Sequence, residues 1–117
     1  MRLVILESPY AGNLIQRWLN RRYARRCLRD SLMRGESPYA SHLLYTQPGV
    51  LRDHIESERD HGVAAGWAWH EKADAVILYT DRGISFGMFL AESSAKRDGL
   101  PVEYRSLTDT PERVRSD

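Results

Sequence analysis

Short, continuous apolar runs alternate along this chain with longer segments in which apolar residues recur every three or four positions. The first run, Leu3-Val4-Ile5-Leu6, breaks off at the turn-rich Glu7-Ser8-Pro9-Tyr10-Ala11-Gly12-Asn13. An apolar strand without alternation is one buried on both faces, as in a parallel sheet. Asn13 stands where it can cap the helix that follows. From residue 14 to about residue 34, Leu14, Ile15, Trp18, Leu19, Tyr23, Ala24, Cys27, Leu28 and Leu32 fall on one helical stripe, which Gly35 ends. Arg17, Arg21, Arg22, Arg25, Arg26 and Arg29 occupy most of the remaining circumference.

Residues 37–45 predict a short second strand and its loop, with Pro38 restricting any pairing to a strand start or an edge. After Gln47-Pro48-Gly49, residues 50–71 predict one long helix with a break allowed near Gly62 and with Gly66 kept small for close packing. Ala75-Val76-Ile77-Leu78-Tyr79 is the clearest buried strand. It stops at Thr80-Asp81-Arg82-Gly83; Ser85 then caps a helix to about residue 97, Asp98-Gly99 closes it, and residues 101–105 form a last strand. Residues 1–107 read as the domain and 108–117 as a polar tail.

Strands alternating with helices imply right-handed crossovers. The expectation is a three-layer α/β domain, Rossmann-like or flavodoxin-like, with a four-stranded parallel sheet in the order 2-1-3-4. In such sheets ligands bind beyond the carboxyl ends of the strands, where the order reverses. Here that point lies between the first and third strands, and residues 7–13 and 80–87 meet there.

Composition narrows the partners. The chain has 117 residues, 42% apolar and 28% charged, with a net charge of +1, so no global field draws it to nucleic acid or membrane. Cys27 has no partner for a disulfide or a cysteine-rich metal site. No apolar run approaches membrane length and no signal peptide is evident, so the chain reads as cytoplasmic. Trp18, Trp67 and Trp69 are many for so small a core, and Trp67 and Trp69 leave a helix on different sides. One of them is expected in a subunit interface of a homo-oligomer.

Glu7, Ser8, Tyr10 and Asp81 sit at the ends of the two central strands. A carboxylate there can accept from sugar hydroxyls or act as nucleophile or acid, and Tyr10 can stack on a base. The plainer alternative is that the carboxylates cap turns and Tyr10 packs on the sheet edge. Gly83, Ser85, Gly87 and Met88 open a helix whose backbone N–H groups can receive an anion, although the segment matches neither a P-loop nor a dinucleotide fingerprint. No nicotinamide cofactor is implied, and His42, His54, His61 and His70 form no metal-ligand pattern. His42 can reach the rim of the pocket. Arg59 can face an anionic group or pair with Glu56 or Glu58. The arginine run on the first helix is offset by acids elsewhere and poorly interleaved with aromatics, so it reads as a solvated or subunit-facing surface and nucleic acid is not expected.

These segments resemble a known family. Leu6-Glu7-Ser8-Pro9-Tyr10-Ala11-Gly12 resembles the first strand and loop of the nucleoside 2-deoxyribosyltransferase-like superfamily, in particular its small bacterial and phage branch. Asp81-Arg82-Gly83-Ile84-Ser85-Phe86-Gly87-Met88 and Ala95-Lys96-Arg97-Asp98-Gly99-Leu100-Pro101-Val102 are similar to the later loop, helix and strand. The resemblance implies cleavage of an N-glycosidic bond and transfer of the sugar, by a glutamate nucleophile after the glycine–methionine turn and an aspartate before it. Asp81 matches the aspartate. The nucleophile position falls on Phe89 or Ala91, and Glu92, the nearest acid, is turned away by about 100° for each residue of offset. Three roles remain open: an N-glycosidic transferase or hydrolase using Glu7 and Asp81, with Ser8, Tyr10, Gly12, His42, Arg59, Gly83, Ser85, Gly87 and Met88 around the ligand; a non-catalytic protein that senses or sequesters a nucleotide; or an interaction module that uses the fold without a ligand.

Overall fold

The computed structural model describes residues 1–108. Strands β1 (Leu3–Glu7), β2 (Ser37–Tyr39), β3 (Ala75–Tyr79) and β4 (Val102–Arg105) form one sheet in the order β2-β1-β3-β4. Every pairing is parallel, with Ile5 opposite Tyr39 and Val76, and Val76 opposite Val102. The expected architecture is therefore the observed one. The polar tail expected from residue 108 lies, apart from Thr108, outside the described residues.

The continuous apolar runs are buried because both faces of the sheet are covered. Val4, Leu6, Ala75, Ile77 and Tyr79 pack with Tyr23 and Cys27 of helix α1 (Leu14–Met33). Ile5 and Val76 point to the opposite layer and pack with Ala95 of helix α4 (Phe86–Arg97), Leu100 and Val102. Right-handed crossovers also put helix α3 (Glu56–Ala68) in that second layer. All five side chains of β3 are buried.

Sequence signals set the helix ends. The Asn13 side chain accepts from the Gln16 N–H while Gln16 returns a bond to the Asn13 N–H, a reciprocal cap for α1. Gly35, at φ 83°, turns the chain out of α1 in a left-handed conformation that favours glycine. Ser85 accepts from the Met88 N–H and starts α4.

Three expectations are corrected. The segment 37–45 is a three-residue strand followed by a one-turn helix, α2 (Ser41–Leu44), rather than strand and loop. The long helix expected over 50–71 begins only at Glu56, because Glu58 turns back to accept from the Arg52 N–H and guanidinium and holds residues 52–55 outside it. It continues unbroken past Gly62, and its last turn tightens to a 3-10 turn, Trp69–Glu71. On α1, the buried side is Asn20, Tyr23, Ala24, Cys27 and Ser31, and Leu14, Ile15, Trp18 and Leu32 are exposed. Gly66 is close-packed as expected: a Cβ there would lie 2.9 Å from the Ser41 Oγ of α2.

Helix α1, with Leu43 of α2 and Leu107 packed beside it, covers this face, and polar side chains close the rest. The Tyr79 hydroxyl donates to Asp30 at 2.6 Å, and Arg105 donates to Tyr79 and, with both terminal nitrogens, to Glu36 at 2.8 and 2.9 Å. Arg2 and Ser31 also donate to Glu36. Burial opposes the Glu36 charge, but Arg105, Arg2 and Ser31 outweigh it and hold the carboxyl at about 2. No described helix is long and apolar enough to cross a membrane.

Candidate functional site

The reversal of strand order brings the loops after β1 and β3 together, as the topology requires. Pro9 and Ala11 of the first loop, Gln16 and Asn20 of α1, and Arg82 of the second loop line a cleft of about 370 Å³. Asn20, buried on α1, donates to the carbonyl oxygens of Tyr10 and Ala11 and so fixes the first loop against the helix. Gly12 sits at φ 144°, and a Cβ there would lie 2.5 Å from the Gln16 side chain that completes the α1 cap.

Glu7 and Asp81 occupy different layers of this edge. Alternation along β1 puts Glu7 on the same side as Ile5, facing the α3–α4 layer. Its carboxyl is half-buried and makes no hydrogen bond or ion pair among the described residues. Burial pushes it up to about 8, so it is protonated at neutral pH. Asp81 turns toward α1. Its oxygens accept from the Tyr23 hydroxyl at 2.6 Å, the Ser106 hydroxyl at 2.6 Å and the Leu107 N–H at 3.1 Å. Partial burial works against its charge, but Ser106, Tyr23 and the Leu107 N–H hold it below the ordinary carboxylate range. Asp81 is thus a strut joining β3, α1 and the segment after β4.

That role has a measurable consequence. Asp81→Asn weakens bonds to groups distant in the chain and is expected to lower the melting temperature by about 5–10 °C, from about 1–2 kcal/mol of lost hydrogen bonding in a partly screened site. Thermal unfolding followed by circular dichroism checks it; an unchanged midpoint contradicts the strut.

Next to Glu7 in sequence, Ser8 is buried, and its Oγ lies 2.7 Å from His42 Nε2 on α2. Burial lowers the His42 pKa to about 4, so the ring is neutral, and its Nδ1 is buried without a partner. Tyr39 at the end of β2 also carries a buried hydroxyl without a hydrogen bond. Glu7 and Tyr39, at the ends of adjacent strands, and His42 on α2 thus keep bonding capacity for a ligand among the described residues.

The other candidates are distributed as follows. Tyr10 is half-buried at the loop. Arg59 is exposed on the α3 face that also carries Gly62 and Gly66, and Glu58 pairs with Arg52 instead. Gly83, at φ 85°, and Gly87 shape the entry to α4, Ser85 caps it, and Met88 is buried in its inner face with Ala91. Phe89 is exposed. Glu92 is turned away from the edge, accepting from Tyr104 on β4 with Lys96 at 3.8 Å. Among the described residues no three His, Cys, Asp or Glu side chains gather as a metal site. Cys27 is buried, which pushes its thiol up to about 12 and leaves it unreactive.

Sequence reasoning missed Asn20, Tyr23, Tyr39 and Arg82. Asn20 and Tyr23 carried a faint signal, being polar groups three apart on the side of the first helix that also holds Ala24 and Cys27. Arg82 and Tyr39 carried none, since their roles come from neighbours distant in sequence. The tryptophans all have neighbours within the chain: Trp18 under Arg22, Trp67 under Arg97, and Trp69 against Tyr39.

An all-parallel, doubly wound sheet with polar groups at the β1–β3 reversal places the protein among the flavodoxin-like α/β folds, which take ligands at that edge. It is similar to a 2-deoxyribosyltransferase from the psychrotolerant bacterium Bacillus psychrosaccharolyticus, with a TM-score of 0.62, 18% identity, and coverage of 89% of this chain and 72% of that one. At that identity the likeness is one of fold. Residues 2–105 match the family described as a domain of unknown function, DUF7768, and the chain belongs to it. No curated protein matches the sequence.

Proposed function

We propose that the chain binds a nucleoside or nucleotide at the carboxyl edge of its sheet and breaks the N-glycosidic bond, with Glu7 as proton donor to the departing base. Glu7 carries this reading: a carboxyl at the strand reversal, without a hydrogen bond or ion pair among the described residues, and kept protonated by burial. A general acid is most useful with a pKa near the working pH. In hydrolysis the bond from sugar C1′ to the base nitrogen breaks, and the Glu7 proton goes to the base. Water adds its oxygen to C1′ and returns a proton to Glu7. With a second base in place of water, the same sequence gives transfer. The fold-level likeness to a 2-deoxyribosyltransferase supports the substrate class. Asn20 supports this edge by holding the Tyr10 main-chain carbonyl, and the Tyr10 ring can stack on the base.

A second reading, a nucleotide-binding protein without catalysis, is favoured by the state of the other carboxylates. Asp81 is engaged with Tyr23 and Ser106, and Glu92 with Tyr104. Neither is free beside Glu7 to stabilise a cationic sugar. Incubation with deoxynucleosides and their 5′-monophosphates, with chromatography of free base, separates the readings. Base release or exchange supports the enzyme. No release, with a raised melting temperature, supports the binder. Neither effect removes both.

A further inference from the structure

The arginines of α1 are arranged differently from what their even sequence scatter suggests. At about 100° per residue, Trp18, Arg22, Arg25, Arg26 and Arg29 fall within about 100° of the helix circumference, opposite the buried Asn20, Tyr23, Ala24, Cys27 and Ser31. All five are exposed. The only acid on α1 is Asp30, which pairs with Arg34 and accepts from Tyr79. Among the described residues Arg21, Arg22, Arg25, Arg26 and Arg29 make no ion pair. Many acids elsewhere are already engaged: Glu36 with Arg105, Glu103 with Arg2, Glu58 with Arg52 and Asp98 with Arg97. The near-zero net charge therefore hides a cationic face that is without ion pairs among the described residues.

We propose that this outer face of α1 binds the phosphate backbone of a nucleic acid. Arg22 to Arg29 spans about 10 Å along the helix, a length that meets successive phosphates. The alternative is an acidic protein. A protein interface places apolar residues at its centre and charge at its rim, whereas nucleic-acid interfaces are polar and strongly positive. Here the order is reversed for a protein partner: Ile15 and Trp18 lie toward one end, Leu32 and Met33 toward the other, and the centre is arginine. Guanidinium groups also match phosphate oxygens in a bidentate way. The surface lies on the far side of α1 from the sheet and does not depend on the nucleoside site.

The test is fluorescence anisotropy with labelled single-stranded and duplex DNA of random sequence. Binding at about 50 mM salt is expected to weaken on the order of a hundredfold by about 200 mM, as release of counterions from about four duplex phosphates requires. The triple substitution Arg22→Glu, Arg25→Glu and Arg29→Glu should abolish binding with the circular dichroism spectrum unchanged. The milder pair Arg25→Gln and Arg29→Gln should weaken it and flatten the salt slope. Lys72→Glu, exposed elsewhere on the surface, should have no effect. Absence of binding at low salt, salt-independent binding, or full binding by the triple variant would each overturn the proposal. So would polyglutamate competing as well as DNA at equal charge, since that marks an acidic-protein surface.

Discussion

Arg105→Ala is expected to destabilise the protein by about 3 kcal/mol, the cost of removing the two-pronged partner of a buried charge that then keeps only Arg2 and Ser31. Arg105 and Glu36 have side chains 9% exposed, and Arg105 gives Glu36 two hydrogen bonds. The same guanidinium supports the Tyr79 hydroxyl, whose bond to Asp30 ties β3 to α1. A loss of this size lowers the melting temperature by well over about 10 °C in a domain this small. Arg105→Lys should restore only part of it, because an ammonium cannot reproduce the two-pronged geometry. The pH dependence follows from the direction of the shift. Glu36 is held at about 2 in the fold, below its unfolded value near about 4.3, so its contribution is present above that value. It is lost as pH falls toward about 2. Urea unfolding at several acidic pH values checks this; Arg105→Ala should flatten that acid limb, and an unaltered limb would assign the pH dependence to other carboxyls.

Glu7→Gln is expected to reduce base release by about 10²- to 10⁴-fold, the usual contribution of a positioned acid, while making the protein more stable in alkali. The two effects have one cause. Glu7 sits at about 8 in the fold, above its unfolded value, so the folded state holds the proton more tightly. Stability associated with Glu7 is then complete at low pH and falls as pH rises through about 8. Glutamine has no such charge to bury, and at about pH 9 its advantage should reach at least about 1 kcal/mol, or a few degrees in melting temperature. The wild-type rate should decline over the same alkaline range. Stabilisation with unchanged turnover would make Glu7 a buried carboxyl of no catalytic use.

Much of the fold was legible because its signals are local. The apolar runs at Val4 and Val76, the caps at Asn13 and Ser85, and the stop at Gly35 act through neighbours within a few residues. The start of α3 was not legible, since Glu58 competes for the Arg52 N–H and delays the helix in a way no periodicity reveals. The carboxylates show the same limit. Glu7 and Asp81 were both readable as strand-end acids, yet their difference rests on contacts across the fold. Tyr23 stands 58 residues from Asp81 and Ser106 25 residues from it on the other side, whereas no described residue hydrogen-bonds the Glu7 carboxyl. The α1 stripe misled for a related reason. Asn20 and Ser31 take buried places because loop carbonyls and Glu36 wait for them, which leaves Leu14, Ile15 and Leu32 outside.

Amide chemical-shift mapping during titration with deoxynucleosides and their 5′-monophosphates addresses the account most directly. A ligand held against Glu7 at the strand reversal should perturb residues 7–13, the Tyr39–His42 corner and residues 81–88, and leave the outer face of α1 unmoved. Saturable shifts confined to any other part of the molecule, or none at millimolar ligand, would contradict it.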